Sequence, residues 1–246
     1  MSVRVVVPGK TGKMGRMIIE AIDAAPGVEL AAALGRIDDV DGALVGADVY
    51  IDFTAPEATA RIAQAAARHG KAGVVGTTGL GAEARAALIE AAAVIPIVVA
   101  PNFSIGVNLL LSLAEQAART LGEEFDLEVV EVHHKAKRDA PSGTAIALAE
   151  ALARGRNRDL DEVKRFAREG DVGARPTGEI GVVAVRGGDV VGDHHVHFLG
   201  PGERLELTHR AGSRALFARG AVRAAAWVVG KAPGIYSMRD VIASAV

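Results

Sequence analysis

The sequence contains no cysteine, and only 4% of its 246 residues are aromatic. Without cysteine the chain has no disulfide scaffold, no catalytic thiolate and no thiolate-bound zinc or iron–sulfur site. An excess of charge is also missing, because the net charge is −2 and the pI is near 6.4. This balance argues against nucleic acid or a membrane surface as a partner. The longest apolar run, 91–101, is broken by Pro96 and is too short to span a membrane.

Half of the residues are hydrophobic, and 29 are glycine. A chain of this length can form one large or two modest domains with real cores. The first residues, VRVVVPG, enter a strand directly and do not resemble the hydrophobic segment of a signal peptide, so we expect a cytoplasmic protein. Abundant glycine is typical of backbone that approaches a ligand closely.

The first hundred residues alternate between buried strands and amphipathic helices. We predict strands at 3–7, 28–34, 49–53, 72–75 and 97–100, with helices after the first strand, at 56–69 and at 83–93. Strands that alternate with helices form a parallel, doubly wound sheet. The fold class is therefore α/β, with a Rossmann-like parallel-sheet domain.

The pattern changes after residue 102. We predict helices at 105–121 and 141–154, with Pro141 in the first turn of the second, and strands at 127–133, 179–186, 190–199 and 204–210. The last three strands are predicted to form a meander, so we expect an α+β domain with a mainly antiparallel sheet. Residues 154–179 are predicted to form a loop or lid. A final helix at 213–230, capped by Ser213, is expected to pack on the first domain. The predicted domains are 1–103 with 214–246, for dinucleotide binding, and 104–213, for the substrate.

The turn after the first strand carries glycines at positions 9, 12 and 15 in a GxxGxxG pattern. Such glycines allow a tight turn and the approach of a pyrophosphate to a helix N-terminus. The pattern is weaker than GxGxxG, since Thr11 fills the usual second glycine position. Lys10, Lys13 and Arg16 add positive charge or are ordinary surface side chains.

The end of the second strand selects between NAD and NADP in folds of this type. A carboxylate there binds the ribose 2′-hydroxyl of NAD, and an arginine accommodates the 2′-phosphate of NADP. Here the sequence reads Gly35-Arg36, followed by Asp38 and Asp39. Arg36 favours NADPH over NADH, although a shifted loop could bring an acid into place.

Three further strand ends carry polar or small residues: DFT at 52–54, GTTG at 76–79 and APNF at 100–103. These residue types favour turns in any protein. Since the carboxyl ends of parallel strands meet at one edge of the sheet, we instead expect a ligand cleft there.

Residues 131–144, EVHHKAKRDAPSGT, join a strand to a helix and concentrate positive charge. As a histidine, His133 can exchange protons, and Lys137 can donate one. If the strand continues, His133, Lys135 and Lys137 share one side. Ser142, Gly143 and Thr144 would place backbone N–H groups at a helix N-terminus, which is an anion site. The alternative is a solvated basic loop.

His194, His195 and His197 lie in one strand, with His195 and His197 on the same face. These two could bind a metal, but nothing fixes a further ligand. We therefore predict no metal site and place these histidines in an interface between subunits.

Together the motifs GxxGxMGR, DFT, GTTG, PNFS, EVHHxxKxDAPSGTA and ERLELTHRAxSRxxFAxGAV resemble the 4-hydroxy-tetrahydrodipicolinate reductase (dihydrodipicolinate reductase) family over essentially the whole chain. The resemblance implies an NAD(P)H-dependent oxidoreductase. It would reduce 4-hydroxy-tetrahydrodipicolinate to tetrahydrodipicolinate in the diaminopimelate route to lysine. It also implies a homotetramer built through the sheet of the substrate domain. Many members carry an acid where Gly35 stands, so this departure again favours NADPH.

The family roles transfer to matching residues of this chain. His133 would be the proton donor or acceptor and Lys137 a proton donor. The residues that would hold the carboxylates of a small cyclic dicarboxylate are His134, Ser142, Gly143 and Thr144. The residues that would bind the cofactor are Gly9, Lys10, Thr11, Gly12, Lys13, Met14, Arg36, Gly76, Thr77, Thr78, Ala100, Pro101, Asn102 and Phe103.

Two other functions remain open at this point. One is a different two-domain nicotinamide-dependent dehydrogenase of an amino acid or sugar, against which the HHxxK and APSGT residues argue. The other is a non-catalytic NADPH sensor, which would need neither His133 nor Lys137.

Overall fold

A computed structural model describes residues 2–243 of the chain. Met1 and the last three residues of the predicted 214–246 segment lie outside the described residues. The chain divides into two compact units: Met1–Ile105 with Ala215–Val246, and Gly106–Arg214. Helices and strands are numbered along the chain, and each unit is described by itself.

The first unit contains a six-stranded sheet. Its strands are β1 (Val3–Pro8), β2 (Val28–Leu34), β3 (Val49–Asp52), β4 (Ala72–Val75), β5 (Pro96–Val99) and β11 (Gly234–Tyr236). The sheet is parallel throughout, in the order β11-β5-β4-β3-β1-β2. The Rossmann-like prediction is confirmed. Strand β11 was not predicted, since three residues carry too short a hydrophobic pattern.

Helices cover both faces of this sheet. They are α1 (Lys13–Asp23), α2 (Val40–Val45), α3 (Pro56–Arg68), α4 (Ala82–Ala92), α8 (Ala215–Val228) and α9 (Met238–Ala243). Val5 and Val7 pack with α1 and α8 on one face, whereas Val6 packs with α3 and α4 on the other. A continuous apolar strand is therefore explained by burial of both faces. The C-terminal helix α8 does return to the first unit; Ser213 stands two residues before it.

The second unit contains the helices α5 (Ile105–Leu121), α6 (Gly143–Gly155) and α7 (Leu160–Val163), and the strands β6 (Asp126–His133), β7 (Lys164–Phe166), β8 (Ile180–Arg186), β9 (Asp193–Gly200) and β10 (Glu203–Arg210). The sheet order is β10-β9-β6-β8-β7. β9 pairs antiparallel with β10 and β6, whereas β8 pairs parallel with β6 and β7. The sheet is mixed, with the antiparallel pairings the more extensive.

Three local predictions for this unit were wrong. The strands β8, β9 and β10 do not form a meander, because β8 pairs on the far side of β6. Pro141 is not in the first turn of α6, since Ser142 is the N-cap and the helix begins at Gly143. The segment 154–179 is not all loop: it contains α7 and β7, and Arg175 contacts both Asp126 and Glu128. None of the described helices is long and apolar enough to cross a membrane.

Candidate active site

A groove of about 840 Å³ opens in the first unit where β1, β2 and β3 end. This glycine groove is lined by Gly9, Thr11, Gly12, Gly35, Arg36, Ile37, Phe53, Thr54, Ala55, Glu57, Ala58 and Arg61. Its position agrees with the rule that open α/β sheets bind ligands beyond the carboxyl ends of their strands.

The turn before α1 depends on the absence of side chains. Gly9 has a φ of +81°, a conformation that favours glycine. A Cβ on Gly9 would lie 2.8 Å from the Thr54 methyl carbon, and one on Gly15 would lie 2.2 Å from the Gly9 carbonyl oxygen. Larger residues would therefore displace the backbone that borders the groove.

The N-terminus of α1 meets the groove at Gly12, which is the N-cap residue. Gly12 has no side chain to cap the helix, and the first turn contains no acidic residue. The positive end of the helix dipole is therefore not offset by a side chain of its own first turn. This arrangement fits a phosphate group of a dinucleotide.

Charged residues surround the groove beyond β2. Arg36 and Arg61 line it together with the single carboxylate Glu57. Asp38 does not line it: its Oδ2 accepts hydrogen bonds from the Gly35 N–H at 2.8 Å and from Lys10 Nζ at 3.0 Å. These hydrogen bonds hold the pKa of Asp38 below its usual range.

Buried residues at the neighbouring strand ends contact Phe53 and Thr54, which line the groove. Asp52 is fully buried, and burial raises its pKa although Thr54 and Thr59 donate hydrogen bonds to it. Phe53 packs against Phe103, with ring centroids 5.3 Å apart. A Cβ on Gly76 would lie 2.2 Å from the Phe53 ring, so Gly76 is held close to the same ring.

The structure thus brings Gly9, Thr11, Gly12 and Arg36 of the predicted cofactor set together at the groove. The remaining predicted cofactor residues do not line it: Lys10, Lys13, Met14, Gly76, Thr77, Thr78, Ala100, Pro101, Asn102 and Phe103. Gly76 and Phe103 connect to it through Phe53. Sequence reasoning missed Glu57 and Arg61, which lie on α3 one turn apart and give no signal apart from helical spacing.

In the second unit, β6 changes from an apolar to a polar strand along one face. Its alternate residues Leu127, Val129, Glu131 and His133 are all buried. Leu127 and Val129 belong to the hydrophobic core, whereas Glu131 and His133 are polar. Buried polar groups need hydrogen-bond partners, so the end of β6 is where partners must be found.

Glu131 is the centre of these contacts. Its side chain is fully buried, and both carboxylate oxygens accept from Arg186, at 2.8 Å each. Burial alone would raise the pKa of Glu131, but hydrogen bonds from Arg186, His133 and the Ser142 N–H outweigh it and leave that pKa below its ordinary value. Glu131 is therefore a carboxylate that can only accept hydrogen bonds.

The imidazole of His133 lies between Glu131 and a second histidine. Its Nδ1 is 2.5 Å from Glu131 Oε2, and its ring meets the ring of His194 edge-on with centroids 5.2 Å apart. His194 stands opposite Glu131 in the β6–β9 register. Burial lowers the pKa of His194 to about 4, and the neighbouring His133 acts in the same direction, so His194 is neutral near pH 7.

Ser142 joins this group to α6. Its Oγ accepts from the Ala145 N–H at 3.1 Å as the helix cap and lies 3.3 Å from His194 Nε2. Its own N–H donates to Glu131 Oε1 at 3.0 Å. We call Glu131, His133, Ser142, Arg186 and His194 the histidine cluster.

Lys137 lies beside the cluster on a turn, not on a continued strand. β6 ends at His133, so the expected shared face of His133, Lys135 and Lys137 was wrong. The Lys137 N–H donates to the His134 carbonyl, and its ammonium donates to both oxygens of Asp139, at 2.8 and 3.0 Å. These hydrogen bonds lower the pKa of Asp139.

The remaining predicted substrate residues lie around this turn. His134 Nε2 is 3.5 Å from the guanidinium of Arg214. Gly143 is exposed at the start of α6, and Thr144 is half-buried after it. The positive end of a thirteen-residue helix therefore reaches the surface next to the capping Ser142.

The strand histidines form different contacts. His195 Nδ1 lies 3.1 Å from the Thr208 hydroxyl, and the rings of His195 and His197 stack with centroids 6.2 Å apart. His197 Nδ1 lies 3.5 Å from Glu206. Within 2–243 no group of three or more His, Cys, Asp or Glu side chains could hold a metal ion.

The fold and the two groups of residues define a class. A Rossmann-like unit with a glycine-lined groove, together with a second unit that buries a carboxylate against two histidines and an arginine, is the plan of a two-domain dinucleotide-dependent oxidoreductase.

Comparison with known proteins narrows the class to a family. The family model described as dihydrodipicolinate reductase, N-terminus, matches residues 3–103, and the model of its C-terminus matches residues 106–242. This chain therefore belongs to the dihydrodipicolinate reductase family, as the sequence motifs predicted. Membership decides against the alternative of an amino acid or sugar dehydrogenase.

Individual relatives match over nearly their whole length. The chain is 50% identical to a 4-hydroxy-tetrahydrodipicolinate reductase of Anaeromyxobacter sp. (strain Fw109-5), covering 98% of this chain and 97% of the relative. It is 49% identical to the enzyme of that name from Alkalilimnicola ehrlichii, covering 98% and 99%. Among solved structures, a dipicolinate-bound dihydrodipicolinate reductase from Paenisporosarcina sp. TG-14 superposes with a TM-score of 0.79 at 26% identity, covering 96% and 98%.

Proposed function

We propose that this protein is an NAD(P)H-dependent 4-hydroxy-tetrahydrodipicolinate reductase, which forms tetrahydrodipicolinate with loss of water. The observation that carries the proposal is the near-complete match, in both units, to relatives that bear this name. The residues of the second unit supply the acid–base groups that such a reduction needs.

The glycine groove holds the dinucleotide in this proposal. Gly9, Thr11 and Gly12 border the pyrophosphate, which the uncapped N-terminus of α1 stabilises. When bound, the nicotinamide supplies the hydride that adds to the unsaturated ring of the substrate. Gly76 and Phe103 belong to its nicotinamide end through their packing on Phe53.

NADPH is the preferred cofactor in this proposal. Two guanidinium groups, Arg36 and Arg61, line the groove against one carboxylate, Glu57. The nearest acid after β2, Asp38, already accepts from Lys10 and the Gly35 N–H. A 2′-phosphate gains more than a hydroxyl from an arginine fork at this place.

The turn after β6 binds and protonates the substrate. The positive end of α6, at Gly143 and Thr144, holds one carboxylate of a cyclic dicarboxylate, with His134 beside it. Lys137 gives a proton to the carbon that becomes electron-rich on reduction, and His133 exchanges a proton at Nε2. Ser142 supports this site indirectly, because its side chain is buried and caps α6.

A homotetramer built through the second sheet, in the cytoplasm, stays a prediction. Its support is the exposed face of β10, where Leu205 is 40% exposed. The stacked rings of His195 and His197 lie on the adjoining strand. Light scattering of the purified protein tests the assembly: a tetramer mass is expected, and a monomer mass contradicts it.

A coupled assay tests the reaction. Pyruvate and aspartate semialdehyde are condensed enzymatically, this protein is added, and NADPH oxidation is followed by absorbance. We expect oxidation that requires both precursors. No oxidation by a folded protein that still binds NADPH would contradict the proposal.

A further inference from the structure

We propose that Glu131, clamped by Arg186, is a positioning residue that fixes His133 in the Nδ1–H tautomer with Nε2 left as the proton-exchanging atom. The role assigned to His133 rests on the proposed function. The tautomer itself does not, so the two can be tested apart.

The tautomer follows from the chemistry of Glu131. An ionised carboxylate has no hydrogen to donate. The distance of 2.5 Å between His133 Nδ1 and Glu131 Oε2 therefore requires that Nδ1 carries the proton. In a neutral imidazole the other nitrogen, Nε2, is then an acceptor.

Arg186 keeps Glu131 in this role. Its two terminal nitrogens bind the two carboxylate oxygens, and one of them also donates to the Asp139 carbonyl at 2.7 Å. The Ser142 N–H supplies a further donor to Glu131 Oε1. The two Arg186 nitrogens and the Ser142 N–H together fix the orientation of the carboxylate. Its Oε2 accepts one of the Arg186 hydrogen bonds and also faces His133 Nδ1.

The other edge of the His133 ring meets a residue without a side chain. A Cβ placed on Gly192 would lie 2.9 Å from His133 Nε2 and 3.3 Å from its neighbouring ring carbon. The rings of His133 and His194 meet at a steep angle, with an interplanar angle of 76°. Nδ1 is therefore the nitrogen that is bonded to Glu131, whereas the glycine at position 192 keeps a Cβ away from Nε2.

Glu128 offers a matched control on the same strand. Its carboxylate is largely but not fully buried and, like that of Glu131, it binds arginine, here Arg168 and Arg175. It is a neighbour of Gly181 and faces away from the buried side of β6 that carries Glu131. Glu128→Gln thus makes the same chemical change without touching His133.

The test measures the ring ¹⁵N shifts of His133 and the kinetics of Glu131→Gln and Glu128→Gln. In the wild type and in Glu128→Gln we expect Nδ1 protonated and Nε2 unprotonated. In Glu131→Gln the amide can donate to Nδ1, so the Nε2–H tautomer is expected to dominate. With it, kcat should fall on the order of 10²-fold, within the contribution of general acid–base catalysis, while the KM for NADPH stays within about threefold.

Two results would overturn the inference. One is a wild-type His133 with its proton on Nε2, which can be read even if Glu131→Gln fails to fold. The other is a folded Glu131→Gln that keeps both the Nδ1–H tautomer and the wild-type kcat. If the wild type shows the expected tautomer but no reductase activity, the positioning is supported and the proposed function is the part that fails.

Discussion

The glycine groove of the first unit and the histidine cluster of the second differ in where their polar groups lie. In the groove, Arg36 is exposed, and the Lys10–Asp38 pair beside it is about 40% exposed on both sides. In the cluster, Glu131 is fully buried and His133 is 8% exposed. The groove is shaped by missing side chains, whereas the cluster is built from polar groups, most of them buried, that hydrogen-bond to one another.

In the proposed function this difference corresponds to two tasks, cofactor binding and proton transfer. A phosphate-bearing ligand brings its own charge, so a groove needs open backbone and a helix N-terminus to receive it. Proton transfer needs a side chain in one fixed geometry, which buried and mutually hydrogen-bonded groups provide. We therefore expect substitutions in the groove to change binding, and those in the cluster to change turnover and pH dependence.

The largest effect is expected from Lys137→Ala and from His133→Ala. Each should lower kcat by about 10²–10⁴-fold, because the proposed function makes each side chain a proton-transfer group. Lys135→Ala, on the same turn but exposed, serves as the control and should change kcat by only a few-fold. Steady-state rates in the coupled assay measure this, and near-normal turnover in both variants would remove these residues from the chemistry.

The second prediction concerns the free energy of unfolding and arises from the histidine cluster alone. His194 has a pKa of about 4 in the folded chain against 6.5 when unfolded. Between these values the unfolded chain binds a proton that the folded chain does not, so the free energy of unfolding falls as pH falls. From pH 7 to pH 5 this contribution is roughly 2 kcal/mol.

Urea unfolding of the wild type and of His194→Gln at both pH values tests this effect. The variant should lose less stability on acidification than the wild type. Asp38→Asn, which alters an exposed carboxylate at the groove, is expected to leave the pH dependence unchanged. Equal pH dependence of wild type and His194→Gln would show that the buried imidazole is not neutral in the folded protein.

The third prediction concerns a substitution that distorts the groove without changing its charge. Gly15→Ala places a methyl group 2.2 Å from the Gly9 carbonyl oxygen. Overpacking of this kind costs about 1–3 kcal/mol, which we expect as weaker NADPH binding and a lower free energy of unfolding. Gly81→Ala is the control, since a Cβ there meets nothing within 4 Å. Fluorescence titration with NADPH compares the two, and equal affinities would contradict the close approach.

The smallest effect is one of specificity. Arg36→Ala should weaken the binding of NADPH by about 10-fold or more and the binding of NADH little. The reason is that a charge-assisted hydrogen bond to phosphate contributes about 1.5–3 kcal/mol. Arg61→Ala, which removes the other guanidinium of the groove, tells whether the 2′-phosphate binds one arginine or both. Equal losses for the two cofactors on Arg36→Ala would reject a 2′-phosphate contact.

The groove could be foreseen from the sequence because its signals are local. A strand, three glycines and a helix follow one another within 21 residues of chain, from Val3 to Asp23, and the parallel topology follows from alternation. The same alternation does not reveal β11, whose three residues pair with β5 only after the chain has passed through the second unit and returned to the first.

The cluster could be foreseen only in part because its contacts join distant residues. His133 and Lys137 lie in one motif, but Arg186 reaches Glu131 across 55 residues. That contact exists because β8 pairs parallel with β6. Hydrophobic periodicity identifies β8 as a strand but does not give its neighbour. Glu131 itself carried a signal, since it alternates with Val129 and His133 on the buried face.

The division of tasks between groove and cluster is tested most directly by the equilibrium affinity of Lys137→Ala for NADPH, measured beside its turnover. We predict wild-type affinity, within about threefold, in a variant whose kcat has fallen by about 10²-fold or more. A loss of NADPH affinity as large as the loss of turnover would contradict the account.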